Sequence, residues 1–340
     1  LVDGGELGGP FGQARPRDAI QRGSVQFLSE GPGDPSTPGW ASSASARRLT
    51  RAEMKGIPKI PSIPIAWGEA QKILEALDGP AVPTGWQGAL PLTYHVGPGP
   101  AKVHIKTEHD YAVRPIWNVI AKMAGRERPD QWVVCGNHRD AWTYGAIDPN
   151  SGTIAMLEMA RAIGELVKGG WKPRRTIVLA SWDGEEYGLL GSTEWCEANA
   201  TALGAQAVAY INVDAAVSGR DIRVNGTHAL RDMLAEALAE VTDPGRGVSF
   251  ARAWRDKGWS EGKVEWARMN RERRWRGEAE RPFEMNVSPL GSGSDYTAFV
   301  DHLGIPALDL RCEGNHGTYH SMYDDFEFVD RVVDPGYAYH

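Results

Sequence analysis

Residues 131–152 read QWVVCGNHRDAWTYGAIDPNSG. The opening QWVVC is a short apolar run of the kind that forms a buried strand. A connector follows it at once, carrying His138, Asp140 and Asp148 among small and aromatic residues. Residues 151–170, SGTIAMLEMARAIGELVKGG, then predict a helix with Ser151 as N-cap and a stop at the Gly169–Gly170 pair. Strand, long polar connector and helix in that order begin an α/β pattern, and the rest of the chain continues it.

RTIVLAS (175–181), AVAYINVD (207–214) and GIPALDLRC (304–312) predict three more apolar strands. STEWCEANATAL (192–203) and THALRDMLAEALAEV (227–241) predict helices between them. The expectation is a mostly parallel sheet with helices on both faces. Residues 1–112 differ in texture. EGPGDPSTPGW and GIPKIPSIPI are dense in turn signals, with β-prone pieces SVQFL and KVHIK and one helix, GEAQKILEALDG, ending at a Gly stop signal. This region predicts a small β-rich domain, and 113–340 a second unit.

At 340 residues and 41% hydrophobic, the chain suits about two domains with a sizeable core. A net charge of -7 argues against nucleic acid as a partner. The one basic cluster, MNRERRWRGEAER (269–281), is interleaved with Glu and reads as a solvated helical face. Cys135, Cys196 and Cys312 are read as buried free thiols. Sequons at Asn199, Asn225 and Asn286 tilt toward a secretory route. No run approaches the ~18 apolar residues of a membrane span. A first residue of Leu1 suggests a fragment.

Ionisable residues collect just beyond each strand: His138 and Asp148, then Glu185 and Glu186, then Asp214, then His316 and His320. In an open α/β sheet, ligands bind outside the carboxyl ends of the strands, so these groups converge on one edge. Histidines and carboxylates without cysteine suit a divalent ion such as zinc. Five ligands exceed one open catalytic zinc and fit two ions bridged by a carboxylate. In the Glu185–Glu186 pair, one glutamate ligates and the other takes a proton from water. Asp140 is placed to hold the second ring nitrogen of His138.

At these residues the chain resembles the zinc-dependent exopeptidase family of glutamate carboxypeptidase (prostate-specific membrane antigen) and transferrin receptor. VVCGNHRDAWTYGAIDPNSG is similar to its first metal loop and PRRTIVLASWDGEEYGLLGSTEWCE to its glutamate segment. AYINVDAA and TYHSMYDD are similar to its last two ligand motifs. The resemblance implies a di-zinc, aminopeptidase-like protease domain. Asp148 would bridge the ions, His138 and Asp214 complete one site, and Glu186 and His320 the other. Glu185 would be the general base.

It implies hydrolysis of the terminal bond of small peptides, glutamate-carboxypeptidase-like. An aminopeptidase of the same fold and a non-catalytic receptor are the alternatives. Residues 1–112 would be the later part of a protease-associated (apical) domain. Residues 113–340 would be an incomplete peptidase domain, without the family's helical dimerisation domain. The full-length protein is expected to be an extracytoplasmic homodimer whose anchor is not in this chain. A Ca²⁺ would be held by Thr37, the Trp40 carbonyl, Glu194 and Glu197. Tyr319, Gly293, Ser294, Arg223 and Arg311 match substrate-side positions. Asp309 inverts a third arginine position, and Ser24 replaces an asparagine. Neutralised arginines imply tolerance of neutral residues before the scissile bond.

Overall fold

The computed structural model describes residues 15–23, 25–26, 28, 31–279, 287–314 and 316–340, without the side chains of 258–266. In chain order the elements are α1 (Trp67–Glu75), β1 (Asp78–Ala81), β2 (His95–Gly97), β3 (Val119–Met123), β4 (Arg128–His138) and α2 (Asn150–Lys168). There follow β5 (Arg175–Trp182), α3 (Leu190–Ala198), α4 (Ala200–Gln206), β6 (Ala207–Asn212), β7 (Asp221–Gly226), α5 (Arg231–Glu240), α6 (Phe250–Trp275) and β8 (Ala307–Glu313).

All four strands expected from apolar runs form, as β4, β5, β6 and β8. They lie side by side and parallel, within a six-stranded sheet of order β3-β5-β4-β6-β8-β7. The sheet is mixed, because β3 and β7 close its two edges antiparallel. No residue of β5 is exposed, and its burial alternates strictly, so both its faces are covered unequally. Trp182, Tyr210 and Phe299 are fully buried in the main core with Val134 and Val178, and the Tyr210 and Phe299 rings stack at 3.9 Å. A second cluster joins Ile222 and Val224 of β7 to Leu234 of α5 and Trp254 of α6.

Three local expectations are corrected. Ser151 does not cap α2, since Pro149 holds that position. Its hydroxyl lies inside the first turn, donating to the Ile147 carbonyl and accepting from Val217 N–H. Helix α1 ends at Glu75 with Ala76 as its C-cap, before the glycine read as its stop. α3 and α4 are separate helices that meet at Asn199. The glycine stop of α2 does hold: Gly169 is the C-cap and Gly170 is left-handed at φ +89°.

A β-rich unit over 1–112 is not confirmed. Its described residues hold α1 and the antiparallel β1–β2 pair, and KVHIK is exposed without a strand partner. Residues 269–275 of the basic cluster end α6 and are mostly exposed, with Asn270 buried; 276–279 follow the helix, and 280–281 lie outside the described residues. All three cysteines are free and buried, and burial pushes the Cys135 and Cys312 thiols up to about 12. Asn199 and Asn225 sit at the junction of α3 and α4 and within β7, while Asn286 and Ser24 lie outside the described residues. Among the described residues no helix is long and apolar enough to cross a membrane.

Candidate metal centre

The parallel strands end together. His138 is the last residue of β4 and pairs in register with Trp182, the last of β5. Gly136 of β4 pairs with Asn212, the last of β6. Asp148, Glu185–Glu186, Asp214 and His320 follow these ends and those of β8. The turn after β6 also abuts the first turn of α2. A Cβ on Gly152 would lie 1.5 Å from the Val213 carbonyl oxygen and 2.1 Å from that of Asp214.

Asp148 is the hinge of the arrangement. Its Oδ1 lies 3.2 Å from His138 Nε2 and its Oδ2 3.1 Å from His320 Nε2. His138 Nε2 also lies 3.0 Å from Asp214 Oδ1, and His320 Nε2 lies 3.3 Å from Glu186 Oε2. Two groups of three donors therefore form, each close enough for one ion: His138, Glu185 and Asp214, and Asp148, Glu186 and His320. Asp148 touches both.

Backbone and side chains behind the donors fix their orientation. His138 Nδ1 meets the Asp140 carbonyl at 2.9 Å and His320 Nδ1 the Arg22 carbonyl at 2.9 Å. Each Nε2 is therefore turned toward the carboxylates. His320 is itself left-handed, at φ +55°. Asp324 accepts from the Ile147 and Asp148 amides at 2.8 and 3.1 Å and so pins the bridging loop. Ser294 donates to Asp214 Oδ2 at 2.5 Å.

Asp140 meets the second ring nitrogen of His138, as expected, but does so through its backbone. Its carbonyl, not its carboxylate, holds the His138 ring, and the carboxylate is 3.6 Å from Nδ1. The two carboxylate oxygens instead accept from the Glu185 and Glu186 amides at 3.0 and 3.2 Å. The reason is geometric: a residue two positions after the strand end sits beside the next loop.

Burial and crowding dominate the electrostatics. Burial and the Asp148 charge push Glu186 up to about 8. Burial, with Asp214, Asp295 and Glu186 adding to it, raises Glu185 well above the usual range. Burial works against the Asp148 carboxylate too, but the two imidazoles outweigh it and hold Asp148 well below its ordinary value. Carboxyl groups packed this densely out of water need cationic compensation. Divalent zinc, which takes imidazole nitrogen and carboxylate oxygen, fits the donor set.

These groups floor a cavity of about 320 Å³ lined also by Arg22, Trp142, Gly293 and Tyr319. Tyr319 stacks on the His320 ring at 3.6 Å. The other residues named for the substrate side do not line this cavity. Ser294 is buried and engaged with Asp214. Arg223 and Arg311 face each other across β7 and β8, outside the cavity lining. Arg311 pairs with Asp309 at 2.5 Å, whereas Arg223 pairs with Glu313 at 2.9 Å. His316 meets Thr318 and belongs to neither donor group.

Near α3, the 33–42 loop wraps two carboxylates. Glu194 accepts from the Asp34 and Ser42 amides, and Glu197 from the Gly39 amide. Burial and the neighbouring Glu194 push Glu197 up to about 7. Thr37 is fully buried in this loop, and the Trp40 amide bonds to the Thr37 carbonyl. The loop that carries Thr37 and Trp40 is thus held against Glu194 and Glu197 through the amides of Asp34, Gly39 and Ser42.

The chain is 39% identical over 340 residues to an Arabidopsis thaliana protein named "Probable glutamate carboxypeptidase LAMP1", spanning 99% of this chain and 45% of that one. It is 37% identical to mouse "Aminopeptidase NAALADL1", spanning 96% of this chain and 44% of that protein. The chain thus spans less than half the length of these relatives. Among solved structures, a zinc aminopeptidase from Bacillus subtilis aligns with a TM-score of 0.39 at 21% identity, over 62% of this chain and 44% of that one. Residues 118–333, from the first edge strand past the last donor, match the model of peptidase family M28, and the chain belongs to that family.

Proposed function

We propose that this chain carries the catalytic centre of a di-zinc exopeptidase that releases the terminal residue of small peptides, with carboxypeptidase polarity. One observation carries the reading: the two oxygens of Asp148 face two separate histidine-carboxylate groups, and Glu185 stands beside them. His138, Asp214 and Asp148 would hold one ion, and Asp148, Glu186 and His320 the other. Bound there, zinc supplies Lewis-acid polarisation of the scissile carbonyl and lowers the pKa of the attacking water.

The protein's own groups do the rest. The Glu185 carboxylate accepts a proton from water as its oxygen bonds to the carbonyl carbon. It then delivers that proton to the nitrogen of the breaking C–N bond. Asp140 keeps Glu185 and Glu186 in register by holding both amides. Trp142 and Tyr319 wall the cavity, whose volume suits a small peptide.

Both arginines of the expected acid-recognising cluster are already paired, so a strong preference for acidic residues is not part of the reading. Glu194, Glu197, Thr37 and the Trp40 carbonyl are proposed to hold a Ca²⁺ that clamps the 33–42 loop to α3. Homodimerisation and an extracytoplasmic location of the full-length protein are proposed on the family resemblance alone.

The polarity is tested by measuring release of the terminal residue from N-blocked and C-blocked dipeptides. Turnover of N-blocked substrates with a free C-terminus is expected. Turnover of only C-blocked substrates would make the enzyme an aminopeptidase, as one relative is named. Two bound zinc ions without turnover of either would leave a non-catalytic receptor.

A further inference from the structure

A buried file of polar groups runs beneath the metal centre to Asp214. Trp182 Nε1 donates to Tyr210 Oη at 3.0 Å, and Tyr210 Oη donates to Asn212 Oδ1 at 3.1 Å. Asn212 Nδ2 donates to Ser294 Oγ at 2.9 Å and to Asp309 Oδ1 at 3.0 Å. Ser294 Oγ donates to Asp214 Oδ2 at 2.5 Å. Trp182, Tyr210 and Asn212 are fully buried, and Ser294 and Asp309 are nearly so. Gly136 makes the crossing possible: a Cβ there would lie 2.5 Å from the Trp182 nitrogen and 2.7 Å from the Tyr210 oxygen.

The direction of this file is forced. An indole N–H can only donate, so the Tyr210 oxygen accepts and its single hydrogen is free to go to Asn212. The Asn212 oxygen is thereby occupied, and its NH₂ faces Ser294 and Asp309. A flipped amide would set its oxygen against the Asp309 carboxyl, which Arg311 holds in place. Ser294 therefore accepts from Asn212, and its only hydrogen goes to Asp214.

We propose that Ser294 is a positioning residue for one metal site, with Trp182, Tyr210, Asn212 and Asp309 fixing the direction in which it donates. Its hydrogen bond engages Asp214 Oδ2. That leaves Oδ1, 3.0 Å from His138 Nε2, as the oxygen offered to the ion. The effect belongs to the His138–Asp214 site, because nothing in the file reaches Glu186 or His320. The proposal rests on the di-metal reading of the centre.

The test is zinc binding to the whole chain, by equilibrium dialysis against graded chelator with metal analysis, for wild type, Ser294→Ala and Tyr210→Phe. Wild type is expected to take up two ions. Ser294→Ala should weaken one of them by about 10–100-fold, as loss of an outer partner does, and leave the other within about threefold. Tyr210→Phe should weaken the same ion by less.

Unchanged binding of both ions by Ser294→Ala, or equal weakening of both, overturns the proposal while leaving the di-metal reading intact. A wild type that takes up fewer than two ions removes that reading and the proposal together. If Ser294→Ala does not fold, Tyr210→Phe is judged by the same one-ion criterion.

Discussion

Replacing Asp140 with Ala separates two roles that look alike from the sequence. In the structure the His138 ring is held by the Asp140 carbonyl, which survives the substitution. What is lost is the acceptor for two amides in the buried turn after β5, Glu185 N–H at 3.0 Å and Glu186 N–H at 3.2 Å. A hydrogen bond to a charged acceptor contributes about 1.5–3 kcal/mol, so two sum to roughly 3–6. Part is returned, because the Asp140 charge also opposes ionisation of Glu186 in the metal-free protein. A net loss of about 2–4 kcal/mol is expected, concentrated in the 183–190 segment. At 1.4 kcal/mol per decade, that is a roughly 30–1000-fold fall in hydrogen-exchange protection of those two amides. The His138 tautomer, read from the ring ¹⁵N shifts, should stay as in wild type. Protection within about threefold of wild type, together with a changed tautomer, would refute the reasoning and restore the carboxylate as the ring's partner.

Three further outcomes are expected. Glu185→Gln should keep both zinc ions while turnover falls by ~10²–10⁴, the range for losing a general base; loss of an ion would exchange the roles of Glu185 and Glu186. Asp148→Ala should loosen both ions after dialysis and Asp214→Ala mainly one, whereas complete loss in both variants would count against a bridge. The metal-free protein should lose stability as pH rises from about 4.5 to 8, measured as the urea midpoint. Glu186 keeps a proton up to about 8 when folded against 4.5 ordinarily, and Glu197 up to about 7. In that window the folded state binds more protons than the unfolded one, so stability falls with pH. His138 and His320 act in the same direction, as burial opposes their charge but the facing carboxylates outweigh it and raise both. Zinc should flatten the dependence; a metal-free midpoint that climbs from pH 5 to 8 contradicts the assignment.

Where burial writes a pattern into the chain, the sequence was informative. QWVVC, RTIVLAS, AVAYINV and PALDLRC are apolar because β4, β5, β6 and β8 occupy the middle of the sheet, and each donor sits at or beyond a strand end. The edges left weaker marks. All but the last residue of β3 are exposed, so its apolar and polar residues carry no readable period. Helix α6 is mostly polar, and its inward face is sparse. The supports of the donors were least legible. Ser294 lies 80 residues from Asp214 and Arg22 lies 298 from His320, and no local signal joins them. Asp140 was found, but a sequence cannot tell a carbonyl from a carboxylate as the partner of His138. KVHIK has the composition of a strand but pairs with no strand among the described residues.

The contact at Gly152 bears on how the centre is tuned. The stretch that carries Asp148 and the stretch that carries Asp214 meet backbone to backbone, with no side chain between them to trim or enlarge. Their separation is therefore a fixed dimension of the scaffold, like the gap between two machined faces, rather than one that side-chain substitutions can dial. Variation in metal preference or strength must then come from the groups behind the donors, and variation in substrate from the cavity walls. In the di-zinc reading, the gauge between the ions would pass unchanged through either kind of drift.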